Sequence, residues 1–296
     1  ALLRRATGRR DEAEALLREQ LPVRRRFATQ EPSLLGLTLT NLGTVLHERG
    51  AHAEAEEALR EAVEIYSEQD RARPTEASAR QNLAAALGAQ GKWEEAEEQF
   101  LNALAVRESI YPANDMRIAT VRNNIASMWR RAESPERAEP EFRKAVEIAR
   151  SNPNADWRAR AQMEVNWGWT LLVLNRSAEA GTVFRGLIGA AESGEAVPRR
   201  IVFDTYWGLG RAQAAQRSFA AAEESFQSAI AMVGDILRDG DPLEWRLQVQ
   251  YAEFLIGAGR PEQAATVLSV AVDSLEATDD SDAPKARRLL EGLGRK

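Results

Sequence analysis

His47, Glu48 and His52 stand together in the stretch HERGAH. A zinc-protease helix carries two histidines at i and i+4 on one face, with a glutamate between them to act on metal-bound water. Here the histidines are five apart and Gly50 interrupts the helix between them, so the spacing does not supply that face. The chain has two His and no Cys, which leaves no thiolate metal site, no cysteine nucleophile and no disulfide framework. Neither His has a plausible nucleophile partner for a hydrolase triad. GAQGKW, from Gly88 to Trp93, lacks the four-residue spacer of a phosphate loop and ends on Trp93 where Ser or Thr is required. GLGR at Gly208 is half of a dinucleotide fingerprint and lies in a helical pattern, not after a strand. Glu54, Glu56 and Glu57 read as a solvated helix surface rather than a buried catalytic pair. The residue types therefore point away from an enzyme, with no cofactor and no metal expected, and toward a surface that binds.

What must position such a surface is legible in a repeat. Asn41 to Ile65 reads NLGTVLHERGAHAEAEEALREAVEI, and Asn82 to Val106 reads NLAAALGAQGKWEEAEEQFLNALAV. The large residue after the first Asn recurs as Leu42, Leu83, Ile125, Trp167, Leu209 and Tyr251, with steps of 41 once and 42 four times. A small residue follows each: Gly43, Ala84, Ala126, Gly168, Gly210 and Ala252. Ala55, Ala96, Ala138, Ala180, Ala222 and Ala264 hold another position without exception, and a bulky one recurs as Leu59, Phe100, Phe142, Phe184, Phe226 and Leu268. Leu42 and Leu46 share one helix face, while Ala55, Leu59 and Ala62 lie at i, i+4 and i+7 on a second helix. The spacing predicts helical hairpins whose small residues let two backbones approach while the bulky ones fill the groove between them. Pro32, Pro74, Pro198 and Pro242 fall where first helices begin, and Pro135 and Pro261 open second helices. One hairpin cannot bury its apolar stripe alone, so neighbours must stack.

Composition agrees with an all-helical chain: Ala, Glu, Arg and Leu are abundant and aromatics make up 6%. No apolar run approaches the roughly 20 residues of a membrane span, and no signal peptide is legible, so a cytoplasmic setting is expected. The formal net charge of -6 does not suggest general nucleic-acid binding. Charge is uneven, since residues 1 to 26 hold eight Arg against four acidic residues. That excess reads as a solvated terminal helix face. The opening segment begins inside the repeat pattern, with Gly8, Ala13 and Leu17 matching Gly50, Ala55 and Leu59, as expected of a piece cut from something longer.

The pattern NLG...L...G...EAE..L..A at 42 residues resembles the tetratricopeptide repeat family, and its kinesin-light-chain-type branch in particular. Departures are the turn residues Glu133, Asn175 and Arg217 in place of Gly, and Trp167 and Tyr251 in place of Leu. The resemblance implies an all-α, right-handed α-solenoid in which first helices line a concave groove and second helices face outward. On that reading residues 1–296 form a single superhelix. It comprises a partial repeat (1–31), six full repeats (32–73, 74–114, 115–153, 154–197, 198–241 and 242–281), and a capping helix with its tail (282–296). The resemblance also implies a protein or peptide ligand, and a place beside an effector domain such as a bacterial serine/threonine kinase or related signalling protein.

On the first helix of the first full repeat, Leu37, Thr40, Thr44 and His47 lie opposite the Leu42 and Leu46 face and predict the groove. Their equivalents include Asn123 and Arg130 in the third repeat, Trp169 and Leu172 in the fourth, Trp207 and Arg211 in the fifth, and Glu253 in the sixth. These seven are the expected ligand-binding residues, because Trp and Arg are the types most enriched at binding hot spots. The competing expectation for the tryptophans is packing between adjacent first helices. Asn41, Asn82, Asn124 and Asn166 are expected to make hydrogen bonds between repeats. The leading function is a non-enzymatic scaffold that recruits a peptide or partner. A ligand-gated sensor that controls a fused effector is the second reading, and a self-assembly scaffold the third. No oligomeric state is implied.

Overall fold

The computed structural model describes residues 10–69, 74–237, 241–278 and 280–294. Gly8 and the basic residues Arg4, Arg5 and Arg9, on which part of the N-terminal reading rests, lie outside the described residues. Every regular element among those described is a helix. The chain divides into two compact units, Ala1–Ala155 and Asp156–Lys296.

In the first unit α1 (Arg10–Arg26) precedes three hairpins: α2 (Pro32–Glu48) with α3 (His52–Ser67), α4 (Pro74–Ala89) with α5 (Trp93–Ile110), and α6 (Met116–Arg131) with α7 (Pro135–Ser151). In the second, α8 (Trp157–Val173) pairs with α9 (Ser177–Glu192), α10 (Arg199–Ala215) with α11 (Phe219–Ala231), and α13 (Pro242–Gly257) with α14 (Pro261–Ala277). A single turn, α12 (Val233–Ile236), separates the last two hairpins, and α15 (Ala283–Leu293) packs on α14. Within each unit every first helix touches its own second helix and the first helix of the next hairpin.

Local chemistry sets the helix ends. Proline opens α2, α4, α7, α13 and α14, where its missing N–H is no loss. Asp115, Asp156 and Asp241 cap α6, α8 and α13 by accepting from the backbone N–H two residues on. All six hairpin turns contain one residue with left-handed backbone: Gly50, Gly91 and Gly259, but also Glu133, Asn175 and Arg217 with φ of 54°, 59° and 59°. Each turn closes the same way. The N–H after the left-handed residue donates to the carbonyl five residues back, as Ala51 does to Leu46 and Ser134 to Trp129, so both ends of the turn are satisfied.

The core is the contact predicted by the repeat. Ala55, Ala96, Ala138, Ala180, Ala222 and Ala264 are fully buried, and the bulky residues of α3, α5, α7, α9, α11 and α14 sit beneath the first helices. A Cβ on Gly168 would fall 2.6 Å from the Phe184 ring, and one on Gly210 would fall 3.0 Å from Phe226. Gly208 meets the other side of Phe184, so the two glycines of GLG serve helix packing and not phosphate binding.

Candidate binding face on the first helices

Several ion pairs join neighbouring second helices. Arg18 of α1 pairs with Glu54 of α3 at 2.6 Å, Arg60 of α3 with Glu95 of α5 at 2.5 Å, and Arg137 of α7 with Glu97 of α5 at 2.7 Å. Arg137 also covers the Trp129 ring, whose Nε1 donates to the same Glu97 at 2.9 Å. The first helices differ: among the described residues Arg130, Arg131 and Arg211 have no ion pair and no hydrogen bond. Arg130 and Arg131 are exposed and Arg211 is half-buried. Surrounding protein nevertheless depresses the guanidinium pKa of both Arg130 and Arg211, and Glu253 partly offsets this at Arg211. A side chain that solvent reaches and protein still desolvates stands in a concave surface.

The open face is rotated by about one residue from the predicted stripe. Positions equivalent to Thr44 are half-buried in all six hairpins: Thr44, Ala85, Ser127, Trp169, Arg211 and Glu253. Beside them Asn41, Asn82, Asn124, Asn166 and Gln250 are also half-buried, and Glu48, Arg131, Val173, Ala215 and Gly257 are exposed. Asn123 is half-buried on the neighbouring flank of α6. In the column of Thr40 and its equivalents, Val165, Trp207 and Val249 are also buried, while Gln81 and Asn123 are half-buried. Trp207 (6% exposed) and Leu172 (8%), both expected at the binding face, are buried. Trp207 stands edge-on to Trp169, 5.3 Å between ring centroids at 82°, and its Nε1 donates to Gln250 Oε1 at 2.7 Å. Trp169 remains half-exposed with the Arg211 guanidinium 5.3 Å over its ring. Glu253 is held by Lys285 of α15 through both carboxylate oxygens, at 2.9 and 3.0 Å.

The recurring asparagines sit on this open face and one of them also ties repeats together. Asn82 Nδ2 donates to Thr44 Oγ1 at 2.9 Å, from α4 to α2. Two clefts open at one repeat position, three repeats apart. In the first unit Ala85, Gly88, Phe100, Asn124, Ser127, Met128 and Arg131 border about 180 Å³. In the second unit Arg211, Ala214, Phe226, Gln250, Glu253, Phe254 and Gly257 occupy the same repeat positions around about 220 Å³, with Phe219 at the side. Arg131 and Gln250 line these clefts without having been expected there, and Asn124, expected to bond between repeats, lines the first of them. A seven-residue step from Ser127 or Arg211 to its neighbours fixes the face only to within one residue, and the contact between first helices decides it.

His47 and His52 are brought together after all, Nδ1 to Nδ1 at 3.1 Å across the Gly50 turn. Burial, then His52 and Arg131, push the His47 pKa down from its ordinary 6.5, against a smaller opposing pull from Glu48. No group of three or more metal-ligating side chains occurs among the described residues.

Hairpins of one repeating type, packed through a small-residue contact and closed by one kind of turn, define a helical-repeat protein. The tetratricopeptide repeat model matches residues 1–68, 34–109 and 74–151, and a second tetratricopeptide repeat model matches 206–283. The chain belongs to the tetratricopeptide repeat family. Among solved structures it is similar to BtubC (BKLC) from P. vanneervenii, with 20% identity and a TM-score of 0.65 over 76% of this chain and 91% of that one. It is also similar to the apo form of RapI, with 13% identity and a TM-score of 0.62 over 98% and 96%. A tetratricopeptide repeat protein from Parabacteroides merdae aligns over 99% and 95%, with 16% identity and a TM-score of 0.59. At these identities the likeness is one of fold. No curated protein sequence matches the chain. No helix among the described residues is long and apolar enough to cross a membrane.

Proposed function

We propose that this chain is a non-enzymatic interaction module that holds a peptide or a segment of a partner protein on the open face of its first helices. The observation that carries this reading is a set of first-helix arginines that no ion pair holds. Arg122, Arg160 and Arg246 of the first helices are held in ion pairs, whereas Arg130 and Arg131 face solvent and Arg211 lines a cleft, none of the three in an ion pair. Unpaired guanidinium groups beside Asn, Ser and aromatic side chains are suited to a ligand with carboxylate or backbone carbonyl groups. Val173 at 59% exposure and Leu37 at 42% add apolar contact on the same helices. The open asparagine column offers both donors and acceptors to an extended backbone. Recruitment within a larger cytoplasmic signalling protein is the setting we infer for it, on the strength of the repeat type. Asn123, Arg130, Trp169, Arg211 and Glu253 stay in the proposed contact set, joined by Asn124, Arg131 and Gln250.

Selection of binders from a displayed random-peptide library tests this reading. Enriched peptides should bind the chain and lose at least about tenfold in affinity to the combined Arg130→Glu, Arg131→Glu and Arg211→Glu variant, as charge reversal beside a ligand carboxylate implies. They should retain affinity for Arg60→Glu, which alters only second helices. Equal binding to both variants would remove the first-helix face from the function.

A further inference from the structure

The cleft of the second unit has a chemistry that its counterpart three repeats earlier lacks. Ala85 gives way to Arg211, Asn124 to Gln250, Ser127 to Glu253 and Met128 to Phe254. Its walls are aromatic: Phe219 and Phe254 are 6.2 Å apart between centroids, and Phe226 and Phe254 are 5.5 Å apart. Phe219 is 39% exposed at the start of α11, and Phe226 and Phe254 are buried. Two charged side chains line the same space, and they are not equivalent. Lys285 holds Glu253 by both oxygens, whereas Arg211 is in no ion pair and feels Glu253 only as a weaker pull across the cleft. Gln250 spends its Oε1 on the Trp207 indole, which leaves its amide N–H groups as donors. The cleft therefore offers one positive charge outside any ion pair, one neutral donor and an aromatic wall.

We propose that this cleft binds a small organic carboxylate whose body is a single aromatic ring or a short aliphatic chain. A guanidinium presents two parallel N–H donors to a carboxylate, and the Gln250 amide adds a third. One unpaired positive charge balances a monoanion and would leave a phosphate dianion half compensated. The volume of about 220 Å³ lies below the roughly 300 Å³ at which drug-sized pockets begin, which limits the guest to about one ring. The cleft shares Arg211, Gln250 and Glu253 with the binding face proposed above, but its occupation by a small carboxylate does not need a peptide ligand.

Calorimetric titration of the whole chain tests the assignment with 3-phenylpropionate, with phenethylamine as the amine-only counterpart and inorganic phosphate as the anion without a ring. Saturable one-to-one binding of 3-phenylpropionate is expected, with none for the other two. Arg211→Met, which keeps the aliphatic stem over Trp169, should weaken binding at least about tenfold, since a hydrogen-bonded charge is lost. Arg211→Lys should recover part of it. Phe219→Ser, at a partly exposed position, supplies a second variant should Arg211→Met lose helicity by circular dichroism; it should weaken 3-phenylpropionate several-fold. No saturation at millimolar concentration would overturn the proposal. So would undiminished binding by the folded variants, or stronger binding of phenethylamine, which would make Glu253 the anchor. A phenylalanine-terminated tripeptide is titrated alongside, and tighter binding of the tripeptide than of the free acid would overturn assignment to a small molecule.

Discussion

Glu133 and Arg217 hold left-handed backbone at turns where Gly50, Gly91 and Gly259 do the same work. A non-glycine residue pays about 1–2 kcal/mol for that conformation, and glycine costs roughly 0.5–1 kcal/mol in unfolded-state entropy. Glu133→Gly and Arg217→Gly should each stabilise the protein by about 0.5–1 kcal/mol, read as a higher urea midpoint. Asn175→Gly should gain less, because Asn tolerates this region better than Glu or Arg. A second residue-scale expectation concerns His47. Its folded pKa lies below the ordinary 6.5, so below that value the unfolded chain binds more protons than the folded one. The stability held by neutral His47 is present above 6.5 and is lost as pH falls beneath it. Glu14, Glu56 and Asp280 also have depressed pKa values, but their contribution is lost only below the usual carboxylate range, near 4. The urea midpoint should therefore drop between pH 7.5 and 5.5, and His47→Gln should flatten that drop. An unchanged slope in the variant would assign the effect to another group.

At the scale of the element, the decisive contact is one small residue against one ring. Gly168→Val would drive side-chain atoms into Phe184, which already meets Gly208 on its other side. Overpacking of this kind costs roughly 1–3 kcal/mol, and a urea midpoint that does not move would show that the ring can give way. This contact was legible in the sequence because the period repeats it six times and a helix tolerates only one geometry for close approach. The helix starts were legible for the same reason, as proline and Asp sit where the first N–H groups lack partners. The exact binding face was not. Trp207 is a hot-spot residue type, but it is buried where consecutive first helices meet, which only packing reveals. The turns were half legible: glycine marked three of them, and Glu133, Asn175 and Arg217 gave no such signal although the hydrogen bonds they close are the same. His47 and His52 show the converse case, where a broken helix brings together two side chains that helical spacing alone would separate.

Within each unit of the molecule, each hairpin is held by its neighbours, so stability in a repeat chain is a sum over local interfaces. Such an arrangement frees one set of helices from structural duty. The second helices are stitched by ion pairs such as Arg18 with Glu54 and Arg25 with Glu61, while Arg130, Arg131 and Arg211 of the first helices are in no ion pair. That division of labour is the central claim. Hydrogen–deuterium exchange of the chain with and without a library-selected peptide tests it most directly. New protection is expected in α4, α6, α8, α10 or α13, with α3, α5, α7, α11 and α14 unchanged. Protection confined to the second helices, with the first helices unaltered at saturating peptide, would contradict it.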